Sequence, residues 1–202
     1  INNAVSFALG FGASFLVWYV VQHKLVPAVA FSPELNKYEL PNGEFIYRAA
    51  FQNTGRRDII DVQVVVRIGI KGFLGASDWA YHSVKTNASQ IPVLSPGKRR
   101  VVRLFDARDD IEFIDLPSKS LRDKILRCQS LPEIMSLGED STVQIHIFGF
   151  DRFSGSRRHF GSKSYRKTDI RLGRYKGLDV VENDKLDGYR QNSSDFESGA
   201  SS

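Results

Sequence analysis

The sequence predicts a mainly β chain: an antiparallel β-sandwich with a short helical insertion, carried behind one N-terminal transmembrane helix. Three observations predict it. An uncharged apolar run opens the chain, alternation of period two dominates from residue 30 onward, and one stretch at helical spacing interrupts the strands.

No charged residue occurs from Ile1 to Gln22, and residues 4–21, AVSFALGFGASFLVWYVV, are apolar or small throughout. Such a run spans about 27 Å as a helix, close to the hydrocarbon thickness of a bilayer. Residues 1–23 are therefore expected to form a transmembrane helix and residues 24–29 a linker. Trp18 and Tyr19 fall where aromatic rings favour headgroups, and His23 and Lys24 follow as the first candidate headgroup contacts. Lys24, Arg48, Arg56 and Arg57 come after the run and no Lys or Arg before it, which places the larger part on the cytoplasmic side of a single-pass topology. Ser6, Gly10 and Ser14 recur every four residues, a spacing that lets helix backbones approach and self-associate. A cleaved secretory signal is the competing reading, because Ala28-Val29-Ala30 resembles a cleavage site. Under it, Asn87-Ala88-Ser89 and Asn192-Ser193-Ser194 become glycosylation acceptors.

Residues 30–178 read as the sandwich. AFSPEL is a first strand, with Pro33 tolerated only at an edge or bend, and EFIYRAAFQN alternates Phe45, Tyr47, Ala49 and Phe51. The next strand puts Ile60, Val62, Val64, Val66, Ile68 and Ile70 on one face, with Asp61, Gln63, Arg67 and Lys71 on the other. Burying that face contributes on the order of 10 kcal/mol gross. WAYHSVK, KRRVVRLFD, TVQIHIFGFDR and RRHFGSKSYRK supply four more strands, and Val143, Ile145 and Ile147 repeat the one-sided pattern that can cover the first face. Pro41-Asn42-Gly43, Asn53-Thr54-Gly55, Ser95-Pro96-Gly97 and Ser154-Gly155-Ser156 are turn chemistry between them.

SKSLRDKILRCQ pairs Leu121 with Ile125 at helical spacing, and Ser130 with Glu133 matches a capping box, so two short helices are expected at one end of the sandwich. Residues 179–202 read as a disordered acidic, Ser-rich tail.

The net charge of +5 and pI near 9.3 favour acidic partners. A lone cysteine, Cys128, excludes an internal disulfide framework and multi-cysteine metal sites. The four histidines, His23, His82, His146 and His159, lie in separate segments without ligand spacing, and no phosphate-binding glycine loop occurs. The expectation is thus no enzyme, no metal and no cofactor. From Arg152 to Lys176 nine bases face a single acid, Asp169. Anionic lipid headgroups at Arg157, Arg158, Lys163, Arg166 and Lys167, together with His23 and Lys24, are the functional reading, and a hairpin edge guarded by charge is the plain one. Nucleic acid is not expected, because this stretch lacks an aromatic platform.

The order of features resembles the C-terminal cytoplasmic domain of inward-rectifier potassium channels. The resemblance spans roughly residues 20–178 and rests on the helix and Pro-containing linker into AFSPEL, on FIYRAAFQNTGRRDIIDVQVVVRI, on FDARDDIEFIDLPSKSL, and on GFDRFSGSRRHFGSKSYRKTDIRLGRY. It implies an immunoglobulin-like sandwich and basic residues near the inner helix that hold anionic lipid, a stretch where this sequence has His23 and Lys24. These residues contain no filter loop of the TVGYG kind, so they cannot conduct by that mechanism. The expected function is a membrane-anchored cytoplasmic interaction or regulatory module, self-associating or bound to another membrane protein, in contact with anionic lipid. The alternatives are the regulatory portion of an inward-rectifier-like cation channel and a secreted binding domain.

Overall fold

A computed structural model describes residues 2–21, 26–73, 78–106 and 119–182 of the chain. About half of them are in strands. Helix α1 (Asn2–Tyr19) comes first, followed by β1 (Val29–Phe31), β2 (Leu35–Glu39), β3 (Phe45–Asn53), β4 (Ile59–Lys71), β5 (Trp79–Leu94) and β6 (Arg99–Asp106). Helices α2 (Lys119–Arg127) and α3 (Leu131–Ile134) precede β7 (Asp140–Asp151) and β8 (Arg157–Gly161), and β9 (Ile170–Leu172), β10 (Arg174–Lys176) and β11 (Asp179–Val181) end the described chain.

Two sheets carry the core. In the first, β3 pairs antiparallel with β1, β2 and β6, and β9 runs parallel to β2. The second has the order β5-β4-β7-β8, antiparallel throughout, and β10 with β11 forms a separate hairpin. The alternating residues Tyr47, Ala49 and Phe51 of β3 and Val62, Val64, Val66, Val143, Ile145 and Ile147 of β4 and β7 belong to one buried cluster. Leu121 and Ile125 of α2 and Leu131 and Ile134 of α3 join it, as their helical spacing predicts.

The long strand departs from strict alternation at one point. Asp61 adopts a left-handed φ of 50°, and the pairing with β7 shifts register between Ile60 and Gln63. This bulge turns Ile59 into the core, fully buried, and leaves Ile60 half-buried, where alternation alone expects Ile60 inside. The predicted first strand is likewise divided into β1 and β2 around Pro33, and β5 runs well beyond the predicted WAYHSVK.

The transmembrane helix expected over residues 1–23 needs correction. Among the described residues no helix is long and apolar enough to cross a membrane. The reason is a two-residue offset: α1 begins at the polar pair Asn2-Asn3 and ends at Tyr19, while Val20 and Val21 of the apolar run fall in a π turn outside it. The side chains of α1 from Val5 to Tyr19 are nonetheless exposed, Phe7 at 77% and Leu9 at 69%. His23 and Lys24 lie outside the described residues.

The described part of the linker, residues 26–29, is docked. The N–H groups of Thr54 and Gly55 donate to the Ala28 carbonyl at 2.8 and 3.2 Å, and Pro27 is buried. At Gly55 a side chain would strike the Val26, Pro27 and Ala28 backbone, so this turn requires glycine. Strand pairing also extends into the segment expected to be tail, since β11 reaches Val181; residues 183–202 lie outside the described chain. The C-terminal strands are fastened to the first sheet by Tyr165, whose hydroxyl donates to the Ser32 carbonyl at 2.6 Å, and by Asn36, which donates to the Gly173 carbonyl at 2.7 Å. The Tyr175 hydroxyl lies 3.1 Å from both the Glu34 and Arg48 carbonyls, and burial first of all pushes its pKa up to about 12.

Candidate functional site

Three turns meet at the end of the sheets nearest α1: β3–β4, β5–β6 and β7–β8. Arg57, in the first, is the residue that joins them to the helix. Its guanidinium pairs with Asp151 at 3.1 Å, donates to the Val21 carbonyl at 2.7 Å, and lies over the Phe153 ring at 4.3 Å from the centroid. Asn53 fixes the same turn by donating to the Arg57 and Leu94 carbonyls, both at 2.8 Å.

Asp151 is the buried centre of this apex. Burial by itself pushes its carboxyl up, but the Ser154 hydroxyl, the Phe153 N–H and Arg57 outweigh burial together and hold it below the usual carboxylate range. A buried pair of this kind is worth less as net stability than as a constraint, because both ions lose their water. What it fixes is the position of the β7–β8 turn against the helix exit.

Around that pair the apex is exposed and basic. Arg152 bridges to Asp58 at 2.9 Å while remaining largely in solvent, and Phe153 is 69% exposed. Arg56, Arg57, Asp58, Pro96, Arg152 and Phe153 line an open cleft of about 400 Å³. The chemistry is that of an anion surface with an apolar tip. In the sequence Arg56 and Arg57 stand out only as markers of orientation, and Phe153 not at all; the Asn53-Thr54-Gly55 and Ser154-Gly155-Ser156 turn signals flanking them are the available clue.

The five bases singled out along the hairpin do not come together. Arg157 and Arg158 stand on β8 opposite Phe150 and Gly149, with Arg157 5.5 Å from the Phe148 ring. Lys163 pairs with Asp169 at 2.9 Å, Arg166 with Asp140 at 3.9 Å, and Lys167 reaches the Ser136 hydroxyl at 3.1 Å. Phe150 and Asp140 sit at opposite ends of β7, ten residues or about 33 Å apart. At a screening length of about 8 Å, charges at the two ends do not reinforce one another as a single cluster. Ser6, Gly10 and Ser14 lie exposed along α1, and nothing within 4 Å stands over Gly10.

Strand pairing does join two histidines that the sequence leaves apart. His146 on β7 and His159 on β8 approach to 3.0 Å between Nδ1 and Nε2 and stack on Phe148. Burial, then His159 and then Arg67 lower the His146 pKa. Among the described residues no group of three or more His, Cys, Asp or Glu is arranged to hold a metal.

No protein-family model matches this chain, and no curated protein matches it. The ground for a functional reading is therefore the geometry of its own residues.

Proposed function

We propose that the chain is a membrane-bound β-sandwich interaction module, in which α1 seats in the apolar part of a bilayer and the apex turns rest on anionic headgroups. The observation that carries this reading is the continuous apolar surface of α1: Val5, Phe7, Leu9, Phe11, Phe15, Leu16 and Val17 are each more than half exposed. Patches of this size mark contact with lipid or another apolar partner. Directly beside the helix exit stand Arg56, Arg152 and the protruding Phe153, the composition expected where chain meets headgroup. The apex gathers this chemistry beside the helix exit, whereas the hairpin bases fall into two groups along β7. No reaction is assigned.

A second reading, the regulatory portion of an inward-rectifier-like channel, is favoured by one contact. The Arg57 link to the Val21 carbonyl and to Asp151 ties the helix end to the β7–β8 turn, so a shift in either is felt by the other. In that reading the sandwich is of the immunoglobulin-like kind.

A polarity-sensitive fluorophore on a Phe153→Cys, Cys128→Ser chain tests the lipid contact. Its emission should shift to the blue with phosphatidylglycerol vesicles, less so at high salt, and not with phosphatidylcholine vesicles. Adding Arg56→Gln and Arg152→Gln should abolish the shift. Equal emission with both lipids would remove the headgroup role, and a full chain that fails to float with any vesicle would remove the membrane role as well.

A further inference from the structure

At the other end of the sheets, a groove of about 450 Å³ opens between α2, α3 and the 3₁₀ turn Lys167–Asp169. Its size falls within the roughly 300–1,000 Å³ of small-molecule pockets. Ser136 and Leu137 in its wall lie just before the start of β7, whereas the apex lies at the last residue of that strand, so the length of the strand, about 36 Å, lies between the two places. The groove therefore has no part in the membrane contact.

Its lining has two characters. Pro132, Leu137 and the half-buried Cys128 give an apolar wall; Lys124, Arg127 and Lys167 place three cations around it. The carboxylate in the lining, Glu133, is engaged in capping α3: it accepts the Gln129 N–H at 2.7 Å and the Ser130 hydroxyl at 3.1 Å. Lys167 is held in place by a neutral hydroxyl, that of Ser136, and Lys124 lies 5.0 Å from the centre of the Phe73 ring. Excess positive charge beside an apolar wall selects a ligand that has both an anionic and an apolar part.

We propose that this groove binds a small amphipathic anion, its carboxylate, phosphate or sulfonate head among Lys124, Arg127 and Lys167 and its apolar body along Pro132, Leu137 and Cys128. An uncharged apolar molecule brings the cations no counter-ion, and an inorganic anion leaves the wall uncovered.

Cys128, the one cysteine of the sequence, makes the groove directly readable. Its sulfur lies 3.3 Å from the Lys124 carbonyl, and burial raises its pKa, so alkylation by N-ethylmaleimide is slow and sensitive to cover. The rate is followed by intact mass on the full chain with octanoate, octylamine or octanol. Octanoate should protect saturably, slowing alkylation about tenfold at ten times its dissociation constant. Octylamine should not protect, and octanol only weakly. Joint replacement of Lys124, Arg127 and Lys167 by Gln should weaken octanoate about tenfold, the scale of three exposed ionic contacts. Arg174→Gln, on β10, should leave it unchanged. Equal protection by all three probes, no protection by octanoate, protection only by phosphatidylglycerol vesicles, or undiminished protection in the triple variant would each overturn the proposal.

Discussion

Helix α1 and strand β4 carry the same kind of side chains and end in opposite surroundings. In β4, Val62, Val64, Val66, Ile68 and Ile70 are buried; in α1, Phe7, Leu9, Phe11 and Phe15 are exposed. Apolar content is thus not what distinguishes them. The strand presents its residues on one face, and β3 and β7 contribute to the same core. The helix carries its apolar side chains on several sides instead of one stripe, so no single partner surface can cover them all. A one-sided element is satisfied within the chain, while an element whose apolar side chains point to several sides is left with them exposed.

That contrast can be broken at its strongest point first. Ile145→Ala, at a fully buried position of β7, should cost about 2–5 kcal/mol in urea unfolding. A loss below about 0.5 kcal/mol, ordinary for surface sites, would mean that the β4–β7 face is not the packed one.

The apex gives a sharper and slightly smaller effect. Asp151→Ala leaves the largely buried Arg57 without its counter-ion and should cost about 3 kcal/mol. The pH dependence has a definite sign, because the folded carboxyl is held below its ordinary value. Its stabilising contribution is fully present above about pH 4, the unfolded value, and is lost as pH falls through the folded one. Thermal melts of the two proteins should therefore converge in acid. A gap that persists there would assign the loss to packing instead of charge.

The smallest effect belongs to the helix. Phe11→Ala should leave the stability of the sheets within about 0.5 kcal/mol, as for any exposed site, while weakening vesicle partition by roughly 2 kcal/mol. A drop in sheet stability comparable with that of Ile145→Ala would show that the helix packs on the fold.

Much of the fold is legible because its signals are local. The alternation of Tyr47, Ala49 and Phe51, the Leu121–Ile125 pair and the Ser130–Glu133 cap each depend on neighbours a few residues away, and each recurs in the structure. The bulge at Asp61 is different: it depends on how β4 meets β7, and no pattern in β4 announces a left-handed aspartate. The candidate site is less legible still. Arg57 and Asp151 are 94 residues apart, and the histidine pair spans two strands, so only pairing brings them together. Conversely, Arg157 and Arg166 are near neighbours in sequence, yet an extended chain carries them to opposite ends of β7.

The sequence by itself determined the strand periodicity, the apolar N-terminal run, the positions of the turns and the excess of positive charge. These follow from side-chain order, which sets faces and turns without reference to distant residues. Only the tertiary structure decided where α1 begins and ends, which arginines share an apex, and that cations and an apolar wall form a groove around Cys128. Those depend on strand register and helix packing, and both place side chains by contacts that close loops far longer than any local motif.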